Sequence, residues 1–326
     1  MRVRIATYLT TALVGAMALT ACGGGGGGGA SSPKGPPAPV TFTLSSPEVD
    51  VQSGQEVNYC YFTHLPTTGE LFIKQWNSTF TPGVVRAAVW FASLDVKPVG
   101  TMTLTECPFG AALATAGLFS WTYTATRSGE QFVFPDDDGN GRPVGMRANA
   151  GQPVIVWIHM LNTTADVIRP HVDITGVTYP SRTSVTRAES FAAEMFPLTI
   201  PPNSEKSFLQ SCGLPVGAKF FSMTMYTNYK ATAMAIRSVE PNGGIDHFEK
   251  SYPNFTDLNP GVKRFAAPAF ATFANDQMTY GCTFRNNTNL TVTPGQSPQF
   301  EEHCLGLTLF FPATEPLACV GNVPIP

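Results

Sequence analysis

Histidines are the side chains in this chain best suited to bind a metal or move a proton near neutral pH. The sequence holds five of them, and no two are adjacent or separated by a single residue. It also contains no G-x-S-x-G, no phosphate-binding P-loop and no H-E-x-x-H. We therefore predict no catalytic residue from local motifs, although a serine–histidine–carboxylate triad stays open. The five are His64, His159, His171, His247 and His303.

An acidic turn carries the other candidate metal ligands. Asp136, Asp138 and Asn140, followed by Gly141, fit the opening of a calcium-binding loop, in which alternate oxygens converge on the ion. The twelfth position of such a loop should be a bidentate glutamate, and here it is Arg147. A solvated turn between two strands is the favoured interpretation.

Cysteine usage indicates an oxidising compartment. Six cysteines follow Cys22, and none lies in the C-x₂-C spacing that a zinc site prefers. An even number without paired spacing predicts three disulfides, with 15 possible pairings on arithmetic alone. The six are Cys60, Cys107, Cys212, Cys282, Cys304 and Cys319.

The first residues are typical of an export signal. Two arginines precede an apolar run that is too short for a transmembrane helix and ends in Leu19-Thr20-Ala21-Cys22. That ending looks like a bacterial lipobox, so we expect residues 1–21 to be a signal peptide and Cys22 to be acylated. Residues 22–38, rich in glycine and proline, form a flexible tether. The chain is then held to the membrane by its lipid, and the outer membrane is favoured because Gly23 replaces the aspartate associated with inner-membrane retention. A plain signal peptide is the alternative.

The apolar pattern predicts an all-β protein. Two-residue alternation dominates, and turn residues break it at short intervals. We expect two tandem antiparallel β-sandwich, jelly-roll-like domains, covering residues 39–182 and 183–326. With a net charge of −3 and no basic stripe, nucleic acid is not an expected partner. The clearest strand runs are Glu56–Thr63, Leu71–Trp76, Val84–Phe91, Val154–His159, Lys219–Tyr226, Gln277–Phe284 and Leu305–Phe311.

Several short stretches, taken in order, resemble one known family over about 250 residues. They resemble the copper type II, ascorbate-dependent monooxygenases, which include peptidylglycine α-hydroxylating monooxygenase and dopamine β-monooxygenase. The resemblance implies two antiparallel β-sandwiches, each with one copper. It also implies disulfides Cys282–Cys304 and Cys212–Cys319, which leaves Cys60 with Cys107. The stretches include Tyr59–Phe62, Ile73–Trp76, Thr81–Gly83, Val156–Asn162, Ile200–Ser204, Lys219–Phe221, Thr279–Phe284, Glu302–Cys304 and Phe311–Ala313.

The copper ligands of that family are mostly absent here. The histidine pair of the first site falls at Val85 and Arg86, and only His159 remains from its third position. Copper prefers several imidazole or sulfur ligands together, so these replacements argue against two-copper chemistry. At the second site, Tyr226 and Asn228 occupy the histidine positions and His303 occupies the methionine position. Structural roles are favoured for His159 and His303. The remnant positions of both sites are His303, Tyr226, Asn228 and His159.

We therefore expect a lipid-anchored binding or interaction protein of the bacterial cell envelope, with an unknown small-molecule or protein ligand. No cofactor is expected, and copper is the one left open. A binding protein of this kind predicts an apolar cleft between the domains near Tyr226 and Asn228. The alternatives are a monooxygenase-like enzyme using one copper through His303, and a structural lipoprotein or surface antigen.

Overall fold

Alternating apolar residues form the strands of this chain, as in Thr41–Ser45, where Phe42 and Leu44 point inward and their neighbours outward. The computed structural model describes residues 38–104, 107, 119–240, 243–251, 261–295, 297 and 300–325. The all-β prediction is confirmed. The signal peptide, Cys22 and the tether up to residue 37 lie outside the described residues and stay predictions.

The first half of the chain contributes ten strands to the described residues. They are β1 (Thr41–Ser45), β2 (Glu56–His64), β3 (Leu71–Phe80), β4 (Val84–Ala92), β5 (Met102–Thr103), β6 (Phe119–Ala125), β7 (Gln131–Val133), β8 (Val144–Ala148), β9 (Pro153–Leu161) and β10 (Val172–Thr178).

The second half contributes ten more, together with a short 3-10 turn at Ala274–Asp276. They are β11 (Thr186–Glu194), β12 (Ser204–Gly213), β13 (Lys219–Tyr226), β14 (Ala231–Glu240), β15 (Gly243–Ser251), β16 (Lys263–Arg264), β17 (Gln277–Asn286), β18 (Leu305–Phe311), β19 (Leu317–Val320) and β20 (Val323–Ile325). None of the described residues forms a helix of the length and apolar character needed to cross a membrane.

The first half folds as two facing sheets. One has the order β5-β2-β9-β4-β6, and the other contains β1-β10-β3-β8. Trp76 of β3 packs against Phe42, Phe91 and Tyr123, with ring centroids 5.7, 6.2 and 6.0 Å away. Because Phe91 and Tyr123 belong to the five-stranded sheet, these contacts fill the space between the two sheets.

The second half repeats this layered arrangement. The sheet β12-β17-β14-β15 covers the sheet segment β11-β18-β13-β16. Phe220 and Phe310 pack with ring centroids 5.6 Å apart, in one core cluster with Tyr280 and Ile236 of the covering sheet. The Tyr280 hydroxyl donates to the Glu194 carbonyl at 2.7 Å, which ties β17 to β11. The sandwich-like arrangement is thus present in both halves.

One eleven-stranded sheet runs through both halves. Its continuity depends on the parallel pairing of β8 with β11, where Thr186 lies opposite Val144. Phe221 and Leu307 of the second half belong to the core cluster of the first half. The predicted boundary at residues 182 and 183 lies in the connection between β10 and β11, and the described residues on both sides of it belong to one compact unit.

Three disulfides join the six cysteines of the body. The pairs are Cys60–Cys107, Cys212–Cys319 and Cys282–Cys304. This is the pairing implied by the family resemblance, and it is confirmed. Cys212 and Cys319 are 107 residues apart, and their bond links β12 to β19.

Candidate functional site

Three polar side chains lie side by side on the five-stranded sheet of the first half. Asn58 of β2 and Arg86 of β4 are both register partners of His159 in β9. Residues paired across antiparallel strands project from the same face, so the three form a short polar row. All three are buried. Their face meets strand β13 of the second half, as the contacts of Arg86 show.

The Arg86 guanidinium lies between two aromatic rings from different halves of the chain. Its central carbon is 5.1 Å from the Trp157 ring centroid and 4.3 Å from that of Tyr226. The two rings themselves meet edge to face at 5.4 Å. A desolvated cation on an aromatic face is held by the negative charge of the ring's π face. Arg86 therefore places a permanent positive charge at the interface, or seam, between the first and second halves of the chain.

A buried carboxylate is the second contact across this seam. Glu56 Oε1 lies 2.6 Å from Nε2 of His159 and also accepts a hydrogen bond from the Tyr229 hydroxyl. Burial acts to raise the pKa of Glu56, but the hydrogen bonds from His159 and Tyr229 outweigh it and hold that pKa below its usual value. Glu56 is thus a carboxylate at neutral pH and joins β2 to the loop after β13.

His159 is a neutral imidazole in this arrangement. Burial lowers its pKa, against the opposing effect of the bond to Glu56 and with a further contribution from the Arg86 charge. Since Glu56 only accepts, Nε2 of His159 carries the proton and donates it. The other ring nitrogen, Nδ1, is buried and has no hydrogen-bond partner among the described residues.

Tyr226 and Asn228 leave the end of β13 on the same side. The Tyr226 hydroxyl donates to Asn228 Oδ1 at 3.0 Å, and Asn228 Nδ2 donates to the Glu301 carbonyl at 2.8 Å. Burial raises the pKa of Tyr226 to about 12. The phenol therefore stays protonated at neutral pH and is engaged as a donor.

Glu302 and His303 complete the cluster from the segment before β18. The Glu302 carboxyl accepts the backbone N–H groups of Asn228 at 2.8 Å and Lys230 at 2.6 Å. Burial raises the pKa of Glu302 to about 7. Burial also lowers the pKa of His303 to about 4, although its hydrogen bond to the Gly295 backbone opposes this shift. The His303 and Tyr226 rings lie 5.7 Å apart between centroids.

A small cavity adjoins the Arg86 side chain. Its volume of about 20 Å³ is enough for about one water molecule. The cavity borders Tyr226 but not Asn228, and it is too small to hold an organic ligand, so the binding cleft expected near these two residues stays a prediction. The lining comprises Arg86, Ala88, Trp90, Thr124, Thr126, Trp157, Thr224, Met225, Tyr226, Leu305 and Leu307.

The structure brings all four positions that the resemblance nominated as copper ligands to this seam. His159 neighbours Trp157, with ring centroids 6.1 Å apart, and Trp157 contacts Tyr226, which in turn adjoins Asn228 and His303. Asn228 Oδ1 accepts the Tyr226 hydroxyl, whereas Nδ1 of His159 has no hydrogen-bond partner among the described residues. The Arg86 charge beside these groups would repel a metal cation. Within the described ranges, no group of three His, Cys, Asp or Glu side chains could hold a metal ion. The residues present do not fit copper.

Sequence reasoning missed the partners that engage these groups. Glu56 lies 103 residues from His159 and 173 residues from Tyr229, so no local pattern relates them. The available signal was the presence of polar residues on strand faces that are otherwise apolar. Glu56 and Asn58 put two polar groups on one face of β2, and Arg86 is the one charged residue in β4.

The acidic turn lies between β7 and β8. Asp138 Oδ1 accepts the backbone N–H of Asn140 at 2.7 Å, and its Oδ2 accepts the Thr186 hydroxyl at 2.6 Å. Both carboxylate oxygens therefore stabilise the turn and its contact with β11. Asp138 is buried, so the expected solvated turn does not describe this side chain. Calcium binding by Asp136, Asp138 and Asn140 stays a prediction.

Comparisons with known proteins give no family for this chain. No protein-family model matches it, and no curated protein matches it. Among solved structures, the major capsid protein P2 of bacteriophage PM2 is similar over 83% of this chain and 97% of its own, at 10% identity and a TM-score of 0.33. PNGase F, a glycosylasparaginase from Flavobacterium meningosepticum, is similar over 88% and 99%, at 9% identity and a TM-score of 0.32. The major capsid protein of STIV is similar over 84% and 96%, at 10% identity and a TM-score of 0.27. Scores this low carry no functional argument.

Proposed function

We propose that this chain is a lipid-anchored binding or interaction protein of the bacterial cell envelope, built on the copper type II monooxygenase fold without its two-copper hydroxylation chemistry. The observation that carries the proposal is the chemistry of the side chains at the nominated copper positions: Arg86 brings a fixed positive charge, Tyr226 stays a protonated phenol, and Asn228 is an amide. Tyr226 is bonded to Asn228, His159 to Glu56, and His303 to the Gly295 backbone. The two halves are joined at this cluster by the contact of Arg86 with Tyr226 and by the hydrogen bond from Tyr229 to Glu56.

The chemistry of the lost ligands supports the same conclusion. Hydroxylation in that family needs one copper to deliver an electron and another to activate oxygen. Each site would need several imidazole or sulfur ligands. At the first copper site, a histidine position instead carries Arg86, which keeps its proton and charge under all ordinary conditions. At the second site, a histidine position carries Tyr226, a phenol whose pKa of about 12 keeps it from acting as a phenolate.

The proposed location is supported by the disulfides and by the lipobox-like sequence. Disulfides form and persist outside the cytoplasm, and this body contains three. Acylation at Cys22 would then hold the body at a membrane, and the outer membrane is the proposed one because Gly23 follows the cysteine.

The absence of hydroxylation is tested by supplying everything that the reaction would need. The disulfide-bonded body is incubated with copper, ascorbate and a glycine-extended peptide, and the product is followed by mass spectrometry. We expect no hydroxylated peptide above a protein-free copper blank. Product that depends on the protein and is lost in His303→Ala would contradict the proposal and favour the single-copper enzyme.

The anchor is tested on the full chain expressed in a bacterial host with labelled palmitate. We expect label on the wild type, with the protein in the outer-membrane fraction. Cys22→Ala should lose the label, while a matched Ser32→Ala change in the tether should leave it in place. Label that survives in Cys22→Ala, or an unlabelled wild type, would overturn the anchoring.

A further inference from the structure

A second pocket lies at the seam and shares no lining residue with the cavity beside Arg86. Its volume is about 160 Å³, several times that of the first. Strands β4, β6 and β8 of the first half, with the loops that follow β4 and β8, form most of its wall, and β11 with Pro316 closes it from the second half. The lining comprises Phe91, Ala92, Ser93, Phe119, Ser120, Arg147, Asn149, Gln152, Arg187, Glu189 and Pro316.

One of the two arginines in this pocket is already paired. Arg187 donates from Nε and from its terminal nitrogen to Glu189 Oε1, at 2.9 and 2.5 Å. The second oxygen of Glu189 accepts the Ser120 hydroxyl at 3.1 Å. Glu189 is buried, so this pair forms a fixed and nearly neutral wall rather than a mobile surface contact.

Arg147 supplies the charge that this wall leaves unbalanced. Its nearest carboxylate is Glu70 at 3.7 Å, and both side chains are more than one-third exposed. Exposed pairs at such distances contribute little stability and are readily exchanged. Among the charged side chains that line the pocket, Arg147, Arg187 and Glu189, one positive charge is in excess. The planar Arg147 guanidinium can hold a carboxylate through two N–H groups.

The remaining walls are a rigid amide and an apolar surface. Gln152 donates to the Ala92 carbonyl at 2.5 Å and accepts from the Asn149 side chain at 3.1 Å, so both amides are fixed in place. Phe91 and Phe119 line the pocket and are otherwise buried. A ligand that matches these walls has one negative group and a small apolar body.

We propose that this pocket binds a small organic monocarboxylate, with its carboxylate on Arg147 and its apolar part against Phe91 and Phe119. All of these side chains lie apart from the positions nominated as copper ligands, so monocarboxylate binding here does not depend on whether copper binds there.

The test uses phenylacetate as the probe and phenylacetamide as its neutral analogue of similar shape, titrated into the folded body by calorimetry. We expect one saturable phenylacetate site, with binding at least about tenfold weaker for the amide, which corresponds to about 1.4 kcal/mol. Arg147→Gln should weaken phenylacetate binding by a similar factor. Arg169→Gln removes an exposed, ion-paired arginine elsewhere and should leave binding unchanged.

A second variant tests the same charge in the opposite direction. Glu70→Gln removes the competing carboxylate beside Arg147, so phenylacetate binding should tighten by about twofold or more. This variant keeps the assignment falsifiable even where Arg147→Gln fails to fold. Equal binding of acid and amide, no saturation up to about 10 mM, or indifference to Glu70→Gln would overturn the proposal.

Discussion

At the residue scale, Glu194 gives the protein a pH-dependent stability. This side chain is buried, its Oε2 has no partner among the described residues, and burial raises its pKa to about 7. A carboxyl with a raised folded-state pKa is harmless below the unfolded value. It destabilises the fold progressively as pH rises from about 4.5 through about 7.

Glu194→Gln should therefore stabilise the protein at pH 8 and leave it nearly unchanged at pH 4.5. The gain at pH 8 is at most on the order of 3 kcal/mol, from the linkage of pKa to stability. Urea unfolding at the two pH values measures it, with the exposed Glu249→Gln as the control. A variant with the same pH profile as the wild type would contradict this role of Glu194.

Arg86 should be energetically coupled to Tyr226, because its guanidinium lies 4.3 Å from that ring. A double-mutant cycle with Arg86→Met and Tyr226→Leu should give a coupling free energy of about 1–2 kcal/mol in urea unfolding. The same cycle between Arg86 and the distant Phe208 should give no coupling. Additive effects of the two substitutions on the unfolding free energy would show that the contact between the guanidinium and the Tyr226 ring does not contribute to stability.

Which residues meet at the seam could be predicted in part. The resemblance nominated His159, Tyr226, Asn228 and His303, and all four lie there. Their partners could not be predicted, since hydrogen bonds such as that from Tyr229 to Glu56 join residues far apart in the chain. Only the tertiary packing of two sheets decides which buried polar groups satisfy one another.

At the element scale, the turn between β3 and β4 depends on Gly83. Its φ is +98°, and a Cβ there would lie 2.3 Å from Cδ1 of Ile168. Gly83→Ala should destabilise the fold by about 1–3 kcal/mol, because both the backbone and the packing would be strained.

Gly69→Ala is the matched control for this turn. A Cβ at Gly69 meets no atom within 4 Å, and its backbone carries no positive φ. Its cost should stay within about 0.5 kcal/mol, the range of ordinary surface substitutions. Equal losses of unfolding free energy in the two variants would contradict the special role of Gly83.

Strand positions were predictable where one face is buried and were missed where it is not. The predicted runs Lys219–Tyr226 and Leu305–Phe311 coincide with β13 and β18. In contrast, β15 begins at Gly243, in a stretch that the sequence favours as a turn, and only Phe248 in it is buried. An edge strand such as this has no alternating apolar pattern, so its pairing with β14 decides its conformation.

At the scale of the whole molecule, the two halves are joined by a continuous sheet as well as by the polar cluster. The parallel pairing of β8 with β11 could not be read from local alternation, which reports buried faces but not strand partners. This junction, the Arg86 stack and the Glu56 bonds all lie on the seam. His159, Tyr226, Asn228 and His303 therefore lie at the contact that joins the halves.

The most direct test of this conclusion is copper retention by the folded, disulfide-bonded body. The protein is incubated with Cu(I) and separately with Cu(II), desalted and assayed for bound metal, with His303→Ala treated in the same way. Because few imidazole or sulfur ligands meet here and Arg86 adds a fixed cation, we expect less than about 0.1 copper per chain in both proteins. Close to one copper per chain, lost in His303→Ala, would contradict this reading of the seam and establish His303 as a metal ligand.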